Sequence, residues 1–297
     1  METPTPPPAD GTARPHWSAW VIYPATMTAA YSLFAALQAA GVSLVLSTYL
    51  PILATAAAVT LLERAYPYRR AWQPPGGEVA TDLLFMVVVQ LALPPLVSLL
   101  FTLALVEPAR ALHWPVQQWW PHRWPLWSQV VLMVLAVDFL RYWLHRAAHQ
   151  TDTLWRLHAV HHSVDQLYWL NTGRFHPLEK ACQMALDSLP FVLMAVDPRV
   201  LALYYLSYAA NGFFQHCNIA LRYGVLNYVV GSAETHRWHH SREPREANAN
   251  YGNTVIVWDL VFGTWFLPRD REVGDLGLHR RDYPRSFLRL LAAPFRR

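Results

Sequence analysis

Leu157 to Ser163 reads LHAVHHS, which sets His158, His161 and His162 at i, i+3 and i+4. A second copy of that spacing stands at His236, His239 and His240 in THRWHH, and an HxxxH pair, His145 and His149, lies just upstream of the first copy. On a helix turning roughly 100° per residue these offsets fall in one narrow stripe, so each triplet is expected to turn its imidazoles toward one centre. Neutral imidazole is the commonest metal ligand. With 14 His in 297 residues, a given HxxHH arises at roughly one position in ten thousand, so composition does not explain two copies. Hydrogen-bonded core histidines and protonation switches usually come singly. The two triplets and the pair therefore read as metal ligands carried by helices that converge from distant parts of the chain.

Working outward, the composition places those helices in a membrane. Hydrophobic residues make up 54% of the chain, aromatic residues 13% and charged residues only 15%, a balance outside the range of an ordinary soluble domain. The net charge of +4 comes without a basic stretch interleaved with aromatics, so nucleic acid is not an expected partner and the excess Arg is assigned to membrane orientation. Cys182 and Cys217 are the only cysteines; neither sits in a CxxC pair, and both read as small buried apolar residues. Residues 1–16 are rich in Pro and polar residues, lack the pattern of a cleavable signal peptide, and read as a disordered tail.

Trp17 to Ala40 and Val42 to Leu62 are each near the roughly 20 residues that cross a bilayer, and Gly41 turns them into a hairpin. The connection after them carries Glu63, Arg64, Arg69, Arg70 and the Pro74-Pro75-Gly76-Gly77 turn, and by the positive-inside rule it faces the cytoplasm. Val79 to Val106 is a third span, expected to kink or split at Pro94 and Pro95. Glu107 to Trp127, with five Trp among prolines, suits the headgroup level. Leu126 to His149 is the fourth span and delivers His145 and His149 at its inner end.

Val164 to Pro177 reads as a cytoplasmic elbow, and Ala181 to Val196 with Val200 to Phe214 as an apolar hairpin, spanning or re-entrant, broken at Asp197-Pro198. Either depth returns the chain to the side it left and brings His176 and His216 to its two feet. The short apolar stretch Ile219 to Val230 leads to a helix from about Ala233 to Ser241 that carries the second triplet. From residue 268 to 297 the tail is Arg-rich, and Phe287 to Phe295 reads as an interfacial basic helix or a solvated tail.

The candidate ligands are therefore His145, His149, His158, His161, His162, His176, His216, His236, His239 and His240, ten of the fourteen histidines. One first-row ion takes four to six ligands, so this number suggests two metals with positions left open. Asp138, deep among apolar residues, is expected to face the interior, either as an acceptor that orients a ligand imidazole or in a salt bridge to Arg141. The expected architecture is all-α: a multi-pass transmembrane helix bundle with a cytoplasmic histidine-rich helical cap holding a dimetal site. Residues 17–267 form the membrane-embedded domain, with the histidine region at 138–264.

At these residues the sequence resembles the fatty acid hydroxylase superfamily, also called the sterol desaturase family, of integral-membrane non-haem di-iron enzymes. HRAAH at His145, LHAVHHS, RFHPLE at Arg174, QHCN at His216, HRWHH, and NYGN followed by WDLVFGT carry the resemblance, which covers about residues 138–264. It implies a lipid hydroxylase or desaturase, a monooxygenase-type oxidoreductase that uses two Fe ions and O2 to oxidise a C–H bond of a fatty acyl, alkyl lipid, sterol or carotenoid. Zn is expected to occupy the site in purified protein because it binds nitrogen ligands more tightly than Fe(II). Asn250 and Asp259, with Asp138, are assigned to the shell behind the ligands; Tyr168, Trp169, Asn171, Arg174 and Trp238 are assigned to the substrate. The sequence shows no appended haem electron-carrier domain, so a separate electron-transfer protein or reductase is the expected partner, together with membrane lipids. In a bacterium the chain would sit in the cell inner membrane with the metals on the cytoplasmic face.

Two rivals come from other classes. A His-lined membrane metal transporter or sensor predicts ionisable residues near the middle of several spans. A metal-dependent hydrolase needs fewer histidines and a carboxylate base, and HExxH is absent.

Overall fold

The computed structural model describes residues 17–72, 75–108, 115–280 and 282–296. The tail 1–16 with His16, the Pro74 half of the turn, and His113 and Trp114 in the Trp-rich stretch lie outside the described residues. Helix α1 (Ser18–Ala39) and helix α2 (Leu44–Ala65) form the first hairpin. Gly41 turns it at φ +74°, a left-handed conformation that costs glycine nothing. Ser43 caps α2 by accepting from the Leu46 N–H at 3.4 Å, as N-cap serines do.

The third span runs unbroken from Gly76 to Val106 and does not split at its prolines. Helix α3 (Gly76–Phe85) passes into a π-helical stretch at Met86–Ala92, and helix α4 (Leu93–Phe101) follows, with a second π-helical stretch at Thr102–Val106. Pro94 and Pro95 have no N–H to return to the carbonyls one turn earlier, which loosens the ladder ahead of them into the wider i to i+5 pattern. Helix α5 (Leu126–Gln150) is the fourth span. These four helices are long and apolar enough to cross a membrane.

Helix α6 (Asp152–His158) ends on the first histidine of its triplet. Helix α7 (Pro177–Leu193) and helix α8 (Pro198–His216) form the second hairpin. Asp197 caps α8 by accepting from the Arg199 N–H, with Pro198 in the first turn. Ile219 to Val230 is irregular apart from a 3-10 turn at Gly224–Tyr228. Helix α9 (Ala233–His239) begins in a capping box between Ser232 and Thr235, helix α10 (Val257–Phe262) follows, and helix α11 (Phe287–Ala292) closes the chain. Among the described residues no strand forms; three isolated bridges, such as Pro67 with Ile219, are all that pair.

Helix α8 is the centre of the packing: α1, α2, α5 and α9 all lie against it. One apolar cluster joins Met133 and Val137 of α5 to Phe191 of α7 and Leu203 and Leu206 of α8. A second joins Val59 of α2 to Phe213 and Phe214 at the His216 end of α8. Helix α11 is docked rather than solvated, since Leu290 packs with Phe85, Val89, Val160 and Phe175, while Leu288 and Phe295 remain exposed. The histidines sit where α5, α8 and α9 end together.

Candidate metal centre

Nine histidines assemble into two groups. His145, His149, His158, His162 and His239 form one, and His161, His216, His236 and His240 form the other; within each group one ligand atom per ring lies within 4.8 Å of all the others. The triplets do not each serve one centre, as the helical spacing suggests. Helix α6 stops at His158, and His161 to Ser163 continue as a 3-10 turn, so the ring of His161 swings into the second group while His158 and His162 stay in the first. Helix α9 keeps His236 and His240 together and sends His239 across to the first group. Each triplet thus straddles both groups, and the groups adjoin, with the His162 and His240 ring centroids 4.5 Å apart.

The ring orientations follow from what each Nδ1 touches. His145 Nδ1–H donates to the Tyr251 carbonyl at 2.8 Å and His158 Nδ1–H to Glu179 Oε1 at 2.8 Å. Both acceptors lack protons to give, so each ring carries its hydrogen on Nδ1 and a lone pair on Nε2. Those two Nε2 atoms face each other at 3.0 Å. Two lone pairs at that distance repel unless a cation lies between them, and the spacing suits two nitrogens each about 2.1 Å from one metal. His239 Nδ1–H likewise donates to the Ala249 carbonyl at 2.8 Å, and its Nε2 stands 3.1 Å from that of His162. In the second group His216 donates to Asn171 Oδ1 at 2.8 Å and His161 to the Arg174 carbonyl at 3.3 Å. His216 Nε2 is 3.0 Å from His236 Nε2, which is 3.2 Å from His240 Nε2. His149 Nε2 is buried without a hydrogen-bond partner. Burial holds His161, His162, His236 and His240 well below the usual imidazole range, and it holds His239, helped by charge at His158, at about 3. These five rings are therefore neutral at physiological pH, the state in which imidazole binds metal.

His176 stands apart from both groups. Its Nδ1 accepts from the Leu178 N–H at 3.2 Å, capping α7, and its Nε2–H donates to the Leu291 carbonyl at 3.2 Å, so both ring nitrogens are already spent. Three residues further on, Glu179 holds His158. Sequence reasoning passed over Glu179 although it lies within RFHPLE, because nothing local reveals that the first turn of α7 faces α6.

The residues assigned to the outer shell act one step further back. Asp138 Oδ2 accepts from the Val255 N–H at 2.5 Å, while Arg141 pairs with Asp187 at 3.2 Å, so Asp138 makes no hydrogen bond to an imidazole and no ion pair with Arg141. Asp259 accepts from the Tyr251 and Gly252 N–H groups at 2.8 and 2.6 Å. Asn250, at φ +56°, donates to the Thr235 and Phe266 carbonyls. Together they shape the segment whose carbonyls at Ala249 and Tyr251 hold His239 and His145.

Of the residues assigned to substrate, only Trp169 lines the large cavity. Asn171 and Arg174 orient histidines, Tyr168 donates its hydroxyl to Asp82, and Trp238 packs with Trp72, Val164 and Leu167. The cavity has a volume of about 590 Å³ and reaches His145, His158, His161, His216 and His236. Its lining includes Val45, Tyr49 and Leu53 of α2 and Leu91 of the third span, all surface residues. Its buried lining carries Arg141, Glu179, Lys180, Gln183 and Asp187, with Tyr208 half-buried beside them.

The sequence pattern described as fatty acid hydroxylase matches residues 130–264, the span that holds all nine grouped histidines. An ornithine lipid hydroxylase, OlsE, of Rhizobium tropici is 36% identical over 250 residues, covering 82% of this chain and 74% of that protein. Alkylglycerol monooxygenase of Xenopus tropicalis is 32% identical over 157 residues, covering 52% of this chain and 33% of that protein. A probable Delta(7)-sterol 5(6)-desaturase of Neurospora crassa is 28% identical over 154 residues, covering 50% and 41%. No solved structure matches the chain. With its nine histidines in two adjoining groups and this likeness along most of its length, the chain belongs to the fatty acid hydroxylase family.

Proposed function

We propose that this protein hydroxylates a membrane lipid at a C–H bond close to its polar end, using O2 and two iron ions held by the nine grouped histidines. Family membership makes it a lipid oxidoreductase; the geometry supports the finer reading. The observation that carries it is the pair His145 and His158, whose Nε2 lone pairs converge at 3.0 Å while both Nδ1 atoms are committed elsewhere. His145, His149, His158, His162 and His239 would hold one ion, and His161, His216, His236 and His240 the other. When bound, such ions supply reductive activation of O2 and oxidation of an unactivated C–H bond, with electrons from a separate reductase or ferredoxin-like partner.

The chain's own residues position the substrate. Exposed Val45, Tyr49, Leu53 and Leu91 open the cavity sideways toward the bilayer, so a hydrocarbon tail can remain among lipids. Arg141, Lys180 and Asp187 are buried against the inner part of the cavity. Charged groups beside a purely hydrocarbon ligand would be costly, and pockets use such groups to fix the orientation of a polar end. A lipid whose head carries amine, amide or hydroxyl groups fits this wall, and the ornithine lipid named for the Rhizobium relative is one such class. Glu63, Asp82 and Asp138, carboxylates in the spans, each hold backbone or side chains of the loops around the histidines, a structural use that favours the enzyme over the transporter alternative.

The test compares lipids of an iron-replete aerobic host expressing the protein with those of a host expressing His161→Ala. A lipid heavier by one oxygen atom, present only with the wild type, is the expected result. A product lighter by two hydrogens would replace hydroxylation with desaturation, and an unchanged lipid profile in a host that makes amine-bearing lipids would overturn the reading.

A further inference from the structure

Two carboxylates in the membrane helices, Glu63 at the end of α2 and Asp82 in α3, lie outside both histidine groups and outside the family's histidine region. We infer that they are positioning residues for the second metal, acting through the loop 168–174; the inference rests on the two-metal reading above.

Glu63 Oε1 accepts from two backbone N–H groups, Trp169 at 2.7 Å and Asn218 at 2.9 Å. Trp169 opens the loop, and Asn218 lies two residues beyond His216. One oxygen thus pins together the two backbone segments whose side chains meet in the Asn171 to His216 hydrogen bond. Asp82 is fully buried. It accepts from Arg174 Nε at 2.5 Å and from the Tyr168 hydroxyl, gripping both ends of the loop. The carbonyl of Arg174 is the acceptor for His161. A third tie comes from Gln90 in the π-helical stretch, whose side-chain amide donates to the Gly173 carbonyl at 3.1 Å. Close approach is needed there: a Cβ on Gly173 would lie 3.0 Å from the end of Met86.

The selectivity is the point. His161 and His216 both belong to the second group, and the first group takes its acceptors from Glu179 and from the segment 248–251 instead. Weakening the Glu63 and Asp82 ties should therefore loosen one metal and leave the other. Removing a partner that orients a ligand typically costs 10–100-fold in metal affinity.

The experiment uses the purified full chain loaded with iron and follows metal per chain and its release to a chelator. His149→Ala and His161→Ala, one from each group, assign the two release phases. In Glu63→Leu and Asp82→Asn the phase assigned to the His161 group should accelerate at least about tenfold, with the other phase unchanged. Glu63→Gln keeps an acceptor oxygen for both N–H groups and should restore wild-type release. Acceleration of both phases together would mean general loosening of the fold, and release unchanged in both variants would mean no positioning role; either overturns the inference. Two wild-type phases that the variants leave alone would overturn it without touching the proposed function, whereas a wild type holding one metal would overturn both.

Discussion

His145 and His158, thirteen residues apart on two different helices, point their Nε2 atoms at each other across 3.0 Å while Tyr251 and Glu179 take their Nδ1 hydrogens. The two acceptors decide which nitrogen of each ring is free, and so they leave two lone pairs facing one space, the candidate cation site. Glu179→Leu should release His158 to rotate and weaken metal binding in the five-histidine group by about 10–100-fold. Metal content after dialysis against a graded chelator series measures this. Undiminished retention would show that the carboxylate is dispensable.

His176 gives the opposite expectation. His176→Ala removes the cap of α7 and the tie to Leu291, so stability should fall by about 0.5–2 kcal/mol, the usual cost of a lost N-cap. Metal per chain should equal that of the wild type. Loss of a full metal equivalent in a folded variant would return His176 to the ligand set.

The Tyr251 carbonyl depends on Asp259 and Gly252. A Cβ at Gly252 would stand 2.4 Å from the Val255 carbonyl and 2.9 Å from Asp259 Oδ2, closer than any backbone can accommodate without moving. Gly252→Ala should therefore displace this segment and lower metal retention in the group that contains His145 and His239, while Asp259→Asn, which keeps one acceptor oxygen, should do so less. Release kinetics comparing the two variants rank the effect, and equal retention in both would refute it.

Stability of the metal-free protein should fall with acid. His161, His162, His236 and His240 titrate below their ordinary value in the folded chain, and His239 at about 3 against 6.5, so the unfolded chain takes up protons first as pH falls through about 6.5. The stabilisation is present above that point and is lost progressively toward pH 3. For one such ring the loss at about pH 5 is on the order of 2 kcal/mol. Chemical unfolding of chelator-treated protein between about pH 7.5 and 5 tests the sign; a flat profile would contradict neutral, buried rings. Metal-loaded protein should show the same direction, because protons compete for the same nitrogens.

On the proposed function, the head of the lipid lies against the polar lining of the cavity, near the histidines. Fragmentation of the oxidised lipid in a mass spectrometer should find the added oxygen on the polar fragment. Oxygen found along the hydrocarbon chain would reverse the orientation.

The linear pattern was enough for the spans, the helical class and eight of the nine grouped histidines, because apolar runs near bilayer length and imidazoles at i, i+3 and i+4 are local properties of the chain. The hairpin between His176 and His216 also follows from neighbouring residues. Tertiary contacts decided the rest. The division of each triplet between two groups depends on α6 ending at His158, and the exclusion of His176 depends on a carbonyl 115 residues away. The roles of Glu63, Asp82 and Glu179 depend on partners 21 to 155 residues distant. A carboxylate in an apolar helix signals that some partner exists, since burying it alone is too costly; which backbone N–H meets it is set only when the helices pack.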